Sequence, residues 1–600
     1  MSRQSSHGRV AAGALVVVLL SGACMAQNPP SATPTSAAPS VAPSPGTPPP
    51  AGTPTGGPAT PDAPATPDTT ATPAGTPTSG GTVRIGWGGF PDYRNPGNGV
   101  LAEAYSLYEL VYDTPITITS DGDYVPELAS EWSVSEDELT WTLTIVDGAT
   151  FHDGEPVTAE DVAFTINLYQ ATEDFPFLPS YTDGFVSVEA PDPTTVTITT
   201  EEPIGNFESR MVFMYVLPQH IWEGVEDPAT FENADMVGSG PFSLAGYEQG
   251  VSITLDAVKD HWSTPPIIDR AIFQTIGNPD SRIASLQQGN LDMITEFPAT
   301  AVPALRNDPN VELLIAEPVT GSLTDIFFNL VDPAECPEDG VCSGHPALRD
   351  VEVRRALAEA TDKQQIIDVS LLGLGEPGLS LVPTGLGDFY ASGVQDYAYS
   401  AGAANQRLEA AGYVDNDGDG IRECLAEQQC PTGDLTFRLF YPNDSDVAPR
   451  EADLISDMWQ QVGVAVQIQA LDPDTLTSVC CPSFDYDVIR WGWGSDPDPA
   501  FLLGTVLCDE VDSGWSETGY CNEQYDALYQ AAGVETDLAA RVDLVHQMQQ
   551  ILIDDVPYII AYYYKETQAF RTDTFVGWPL DDPTLTLQSP ESLTVIRPAP

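Results

Sequence analysis

The sequence predicts a mixed α/β fold for the part of the chain after about residue 80. Residues 140–145, TWTLTI, alternate threonines with large apolar side chains, which is the period of a half-buried strand. Thr158 and Asp161 form a capping-box pattern, which predicts that a helix begins there. Apolar residues recur at helical spacing over residues 538–552. Strand and helix signals therefore alternate, and GGTVRIGWGG (80–89) predicts the first strand.

The amino terminus has the features of a bacterial export signal. Two arginines precede the apolar run AAGALVVVLL, which is too short to be a permanent membrane span. The segment LLSGAC follows and resembles a lipobox, in which Cys24 is acylated and becomes the first residue of the mature protein. Because Ser21 stands where Leu is usual, an ordinary signal-peptidase site nearby remains the alternative. We expect no transmembrane helix after this signal.

Residues 25–80 are rich in Pro, Thr, Ala and Ser and have low complexity. Such a segment cannot build a core, so it predicts a disordered, partly extended tether. At about 3 Å per residue, it could hold a globular body well beyond a membrane. Together with the lipid anchor, it predicts a protein on the outer face of the cell membrane, in the periplasm or at the cell surface.

The charge of the chain is strongly negative. It carries 88 acidic and 22 basic residues, a formal net charge of −66. Such a surface repels phosphate backbones, which argues against nucleic acid as a partner. It favours cationic ligands and solubility. The alternative is a solvated acidic surface that has no role in ligand binding.

Cysteine use agrees with export. Eight cysteines remain after Cys24, and an even number in an exported chain indicates disulfides. A zinc site is the rival, but no CxxC pair occurs. Cys480 and Cys481 either form a vicinal bridge or pair elsewhere. The candidate local pairs are Cys336–Cys342, Cys424–Cys430, Cys508–Cys521 and Cys480–Cys481.

Residues 124–164, YVPELASEWSVSEDELTWTLTIVDGATFHDGEPVTAEDVAF, resemble a block of the bacterial extracellular solute-binding proteins of family 5. This is the peptide- and nickel-binding class, which supplies ABC importers. Further blocks follow in the order of the family. They are VGSGPFSLAGY (237–247), HWSTPPIIDRAIF (261–273), SRIASLQQGNLDM (281–293), VEVRRALAEATDKQQII (351–367), GYVDNDGDGIRE (412–423), GWGSDPDPAFL (492–502) and ILIDDVPYIIAYY (551–563).

The resemblance implies a periplasmic-binding-protein-like fold of type II, in its peptide-binding class. Two α/β lobes joined by a hinge, with an additional smaller domain, would close on a ligand between the first and third lobes. The implied parts are a lipoprotein signal peptide (1–24), the tether (25–80), a first lobe (81–118, 238–316 and 555–600), the additional domain (119–237) and a third lobe (317–554).

The segment WGWGSDPDPAFL (491–502) contains the candidate ligand site. In peptide-binding relatives the Asp of this block receives the α-ammonium group of the ligand, and the matching residue is Asp496, with Trp493 and Trp491 beside it. A carboxylate in a closed cleft needs a positive partner, and a tryptophan ring adds attraction for a cation. Asp498 is the less favoured contact. The alternative is an Asp-Pro turn whose carboxylates cap backbone amides.

A second acidic motif, DNDGDGIRE, has the first half of a calcium loop. Asp415, Asp417 and Asp419 alternate and Gly420 follows. The twelfth position from Asp415 is an Ala instead of the bidentate Glu that the loop needs, so a polar turn is the alternative to a structural calcium ion.

The sequence thus predicts a monomeric solute-binding component of an ABC importer that captures short peptides and delivers them to permease subunits. We expect no cofactor besides the calcium ion just considered. The motifs HExxH, GxSxG and GxxxxGK[ST] are absent, and we expect no catalysis. The alternatives are the same class binding a nickel chelate or an oligosaccharide, or a secreted carboxylate-dependent hydrolase.

Overall fold

A computed structural model describes residues 80–119, 122–316, 321–338, 340–425, 430–431, 433–580 and 586–600. The predicted signal peptide, with Cys24, and almost all of the tether lie outside the described residues. No helix in the described ranges is long and apolar enough to cross a membrane.

The strands are β1 (Thr82–Trp87), β2 (Ile116–Ile118), β3 (Tyr124–Pro126), β4 (Ala129–Val134), β5 (Thr140–Ile145), β6 (Phe185–Asp192), β7 (Thr195–Thr200), β8 (Phe242–Glu248), β9 (Ser252–Ala257), β10 (Arg270–Thr275), β11 (Met293–Thr295), β12 (Val311–Ala316), β13 (Ser322–Phe328), β14 (Gly375–Pro377), β15 (Glu423–Cys424), β16 (Gly433–Asp434), β17 (Thr436–Pro442), β18 (Ala465–Leu471), β19 (Val488–Gly494), β20 (Tyr558–Tyr564), β21 (Glu566–Arg571), β22 (Phe575–Val576) and β23 (Arg597–Pro598).

The α-helices are α1 (Ala102–Val111), α2 (Ala159–Ala171), α3 (Phe207–Met211), α4 (Gln219–Trp222), α5 (Pro279–Gln287), α6 (Val302–Arg306), α7 (Val351–Ala360), α8 (Lys363–Ser370), α9 (Ala401–Ala411), α10 (Ala448–Gln460), α11 (Pro473–Cys480), α12 (Ala500–Gly504), α13 (Glu510–Ser513), α14 (Glu523–Val534), α15 (Leu538–Asp555) and α16 (Pro590–Leu593).

A seven-stranded sheet gathers strands from three distant parts of the chain. Its order is β12-β21-β11-β1-β10-β9-β8. The predicted first strand, β1, lies in its centre, parallel to both β10 and β11. Val83 and Ile85 of β1 are fully buried, so this strand anchors the start of the globular body in the core.

A four-stranded sheet of order β4-β5-β7-β6 forms the additional domain together with α2. The alternation predicted for residues 140–145 is confirmed, because the three apolar side chains of β5 are buried and Trp141 stacks on Phe207 at 4.0 Å. The predicted capping box is confirmed too. The backbone amide of Thr158 donates to Oδ2 of Asp161 at 2.9 Å, and α2 begins at Ala159, directly after Thr158.

A six-stranded sheet of order β14-β20-β13-β19-β17-β18 separates two layers of helices. One face packs against α7, α8, α9 and α10, and the other against α11, α12, α14 and α15. The helix predicted over residues 538–552 is confirmed as α15. In β13 the side chains alternate between the faces, with Ile326 in the first core and Phe327 in the second.

The mixed α/β class is therefore confirmed, whereas the lobe boundaries stay a prediction. The six-stranded sheet includes β20, so it extends past residue 554, where the predicted third lobe ends. The next strand along the chain, β21, belongs to the seven-stranded sheet, so the chain passes from one large sheet to the other at Lys565.

The cysteines pair at disulfide distance as the local spacing predicted. The structure joins the pairs Cys336–Cys342, Cys424–Cys430, Cys508–Cys521 and Cys480–Cys481. The bridges close loops of the half of the chain that builds the six-stranded sheet. Of the two alternatives for the last pair, the structure has the vicinal bridge.

The additional domain rests against the helices α14 and α15. The amide of Gly205 donates to the carbonyl of Gly533 at 2.8 Å, and Thr536 donates to Glu138 at 2.7 Å. A Cβ atom at position 205 would lie 2.3 Å from the carbonyl oxygen of Glu535, so this approach requires glycine. These contacts join the additional domain to the connection between α14 and α15.

Candidate functional site

The predicted ligand motif lies where β19 leaves the six-stranded sheet. Trp491 and Trp493 belong to the strand, and Asp496 follows its last residue by two positions. Between them, Gly492 lies so close to β13 that a Cβ atom would be 2.4 Å from the carbonyl oxygen of Leu323. This close pairing of β13 and β19 fixes the end of the strand and hence the position of Asp496.

Asp496 meets the additional domain through one hydrogen bond. The hydroxyl of Tyr181 donates to Oδ2 of Asp496 at 2.9 Å, and Tyr181 lies in the 3₁₀ turn Leu178–Thr182. The ring of Tyr181 stacks on Phe213 at 4.6 Å. Within the described ranges, no Arg, Lys or His forms an ion pair with Asp496. The carboxylate therefore has a neutral donor but no positive partner there.

Burial changes the acidity of this group. Asp496 keeps part of its surface accessible, yet enough protein surrounds it that desolvation raises its pKa to about 6. The hydrogen bond from Tyr181 lowers this pKa, and the nearby charge of Asp498 raises it. A carboxylate with these properties is mostly ionised at neutral pH and can bind a cation.

A third part of the chain also reaches the site. Tyr105 of α1 lies edge-on to Phe213, with ring centroids 6.3 Å apart. Burial, and then the charges of Asp496 and Asp92, raise the pKa of the Tyr105 phenol. Asp496, Tyr181 and Tyr105 come from the six-stranded sheet, the additional domain and the helix beside the seven-stranded sheet. The site thus lies where three parts of the fold meet.

Asp498 has a different role from Asp496. Its two carboxylate oxygens accept bonds from the guanidinium of Arg541 at 2.6 and 2.7 Å. Its Oδ1 also accepts the amide of Ala500, at the start of α12. Since both charged side chains are buried, this pair fixes the turn after β19 to α15. The turn role that the sequence allowed for Asp498 is present, with an arginine partner that the sequence did not reveal.

The two tryptophans line the core beneath the site. Trp493 is 6% exposed, and its indole N–H donates to Oε2 of Glu517 at 2.8 Å. Trp491 is 5% exposed, and its indole nitrogen makes no hydrogen bond to a described residue. Contact of these rings with a ligand stays a prediction.

Two site residues escaped the sequence reasoning. Tyr181 lies 315 positions before Asp496, in a short turn without any motif. Glu517 lies in the loop between α13 and α14, and one acidic residue in so acidic a chain carries no signal of its own. A pairing over such distances follows only from the packing of the domains.

The three aspartates of the predicted calcium loop do come together. Ligand oxygens of Asp415, Asp417 and Asp419 lie within 4.8 Å of one another, and all three residues are exposed. The oxygens of Asp415 accept the amides of Gly418 and Gly420. This is also what a polar turn does, so a calcium ion here stays a prediction.

Comparisons with known proteins agree with this architecture. The family model "Bacterial extracellular solute-binding proteins, family 5 Middle" matches residues 123–512. The chain is 25% identical over 465 residues to the probable D,D-dipeptide-binding periplasmic protein DdpA of Escherichia coli. The alignment covers 75% of this chain and 82% of DdpA.

Solved structures show the same fold. The ABC transporter substrate-binding protein CtaP from Listeria monocytogenes has a TM-score of 0.73 and 24% identity, over 87% of this chain and 100% of that one. The oligopeptide-binding protein AppA from Bacillus subtilis, in complex with a nonapeptide, has a TM-score of 0.69 and 22% identity, over 88% of this chain and 100% of that one. These likenesses confirm the predicted periplasmic-binding-protein-like fold. Because the family model matches more than half of the chain, the chain belongs to the bacterial extracellular solute-binding proteins of family 5.

Proposed function

We propose that this protein is the solute-binding component of an ABC importer and that it captures short peptides, with Asp496 receiving the α-ammonium group. The observation that carries the proposal is a carboxylate at the junction of three parts of the fold, with a tyrosine donor and no positive partner among the described residues. The names of the relatives DdpA and AppA support peptides as the ligand class.

The chemistry of Asp496 fits an ammonium group. A carboxylate away from bulk water is costly unless a cation neutralises it. A charge-assisted hydrogen bond to an ammonium is about twice as strong as a neutral one, and it sets the orientation of the ligand. Tyr181 already donates to Oδ2, which leaves acceptor capacity on the carboxylate for a second donor.

The position of Asp496 also suggests how capture and release work. Tyr181 and Asp496 belong to different parts of the fold, so their bond can form only when these parts are close together. A ligand that bridges the same parts would favour the closed arrangement, as in other hinge-closing proteins. The closed protein would then deliver its ligand to permease subunits as a monomer anchored through Cys24. No bond is made or broken in this cycle.

Calorimetry with matched tripeptides tests the proposal. We expect Ala-Ala-Ala to bind the purified protein and N-acetyl-Ala-Ala-Ala, which lacks the ammonium, to bind at least tenfold more weakly. Asp496→Asn should lose about 2–3 kcal/mol of binding to the free peptide. Asp474→Asn, which removes one exposed charge from α11, is the matched control and should bind normally.

Two further readouts separate the alternatives. Mass spectrometry of ligands that co-purify with the protein should find peptides; a metal chelate or an oligosaccharide would instead keep the class and change the ligand. Incubation with peptides or glycans should leave them intact, since a hydrolase would release products. Equal affinity for free and acetylated peptide would remove Asp496 from the role proposed for it.

A further inference from the structure

A row of side chains leads from Asp496 into the core of the six-stranded sheet. Trp491 and Trp493 alternate along the end of β19, so they point to the same face of the sheet, and Ser495 follows the last residue of the strand. On the neighbouring strand β13, Leu323 lies opposite Trp493 and Asp325 lies opposite Trp491. We call Ser495, Trp493, Trp491, Asp325, Glu517 and Tyr558 the β19 track.

The track contains buried polar atoms without partners. Asp325 is fully buried, and neither of its carboxylate oxygens makes a hydrogen bond of normal geometry to a described residue. The same holds for the indole nitrogen of Trp491 and the hydroxyl of Ser495, in side chains that are over nine-tenths buried. Buried polar groups are almost always satisfied in native proteins. Because several such groups lie in this one row, they indicate a binding site for a polar group of a ligand.

The inner end of the track is negatively charged. Glu517 is 5% exposed, and its charge and that of Asp325 act on each other. The nearest arginine, Arg490, points to the opposite face of the sheet, where it pairs with Glu451 at 2.6 Å. Burial raises the pKa of Asp325, and the charge of Arg490, followed by the backbone amides of Asp325 and Trp491, lowers it only in part. Two desolvated carboxylates without a directly paired cation on their own face of the sheet favour one from outside, or a proton.

We propose that the β19 track is a pocket for a basic side chain of the bound peptide, with Asp325 and Glu517 receiving its ammonium or guanidinium group. This inference rests on the proposed peptide function and adds a preference for peptides with a Lys or Arg at the second or third residue. The guest would enter at Ser495 when the lobes part.

The walls of the track favour a basic side chain over an inorganic ion. Lys and Arg have an apolar stem and a charged end, and the track has aromatic walls with carboxylates at its inner end. Trp and Tyr rings also attract cations. Trp491 lies five residues before Asp496, so the inner end is at most about 17 Å from the ammonium site. An extended peptide advances about 3.4 Å per residue, so the third residue lies about 7 Å from the ammonium group, and the long stem of a lysine or arginine at the second or third residue extends the reach further along the track.

The test uses pairs of peptides that differ only in the ammonium group at the end of one side chain. Calorimetry on the full-length protein compares Ala-Lys-Ala and Ala-Ala-Lys with the same peptides carrying norleucine, which has a similar stem and no charge. We expect at least a tenfold preference for the better lysine peptide. Asp325→Asn and Glu517→Gln should each reduce this preference at least threefold. Asp474→Asn is the control.

The possible outcomes distinguish this inference from the proposed function. If the norleucine peptides bind in an Asp496-dependent way and lysine adds nothing, the pocket is refuted while peptide binding stands. If no peptide binds, the proposed function fails. If Na⁺ or Ca²⁺ raises the melting temperature of the wild type but not of Asp325→Asn, without any lysine preference, the track holds an inorganic ion and the inference is wrong. Melting curves of both variants confirm that they fold.

Discussion

The ion pair of Asp498 with Arg541 should be a main support of the turn that carries Asp496. Asp498 is 4% and Arg541 3% exposed, and two bonds of 2.6 and 2.7 Å join them. The substitution Asp498→Asn would leave a buried guanidinium whose remaining acceptor is the carbonyl of Ala532, at 3.1 Å. Breaking a buried pair in this way costs about 3–5 kcal/mol. Asn still accepts one bond, so we expect about 3 kcal/mol.

Urea unfolding followed by tryptophan fluorescence measures this loss. Asp498→Asn should shift the midpoint downward, whereas Asp474→Asn, an exposed charge on α11, should change the free energy of unfolding by less than 0.5 kcal/mol. The double variant Asp498→Asn/Arg541→Met removes both charges and should recover at least half of the loss. A loss below 1 kcal/mol for Asp498→Asn, or a double variant less stable than the sum of its single changes, would refute the reasoning.

The sequence predicted well those elements whose signal is local. The alternation of residues 140–145, the capping box at Thr158 and the helical spacing of α15 each depend on residues within a few turns of one another, and each is confirmed. The local cysteine pairs followed from short spacing in the same way. Such local features can be predicted without knowing how distant segments of the chain pack.

The candidate site was predictable only in part. Asp496 was found through a family motif, but its donor Tyr181 lies in another domain. Asp325 looks like an ordinary residue of a strand until the register of β13 and β19 places it opposite Trp491. The choice of Arg541 for Asp498 depends on how α15 packs beneath the turn. These facts arise from tertiary packing, which no local pattern encodes.

Three further predictions concern pH and capping. Burial raises the pKa of Asp496 to about 6. The affinity for a cationic ligand, measured by calorimetry, should therefore be constant above pH 7 and about tenfold weaker at pH 5, where the carboxylate is mostly protonated. The variant Asp496→Asn should show no such fall in affinity. Burial raises the pKa of Asp325 to about 7, so its ionisation costs the folded state stability as pH rises from about 4 to 7. Asp325→Asn should match the wild type in urea unfolding at pH 4 and be more stable at pH 8, by on the order of 2–4 kcal/mol; equal stability at pH 8 would contradict this. Thr158→Ala should lower the free energy of unfolding by about 1 kcal/mol, measured in urea, because α2 loses its capping box.

The excess of acidic over basic residues explains why some shielded carboxylates of this chain lack a positive partner. With 22 basic residues against 88 acidic ones, cations of the chain are scarce, and the buried ones are already engaged, as Arg541 is with Asp498 and Arg490 with Glu451. Asp496 lies two residues from Asp498 and differs from it mainly in having a tyrosine where Asp498 has a guanidinium. A protein that leaves Asp496 desolvated without its own cation loses stability in the free state. Part of that loss is recovered as binding energy when a ligand supplies the positive charge. The scarcity of Lys and Arg thus turns ordinary acidic residues into sites for external cations wherever the fold shields them from water.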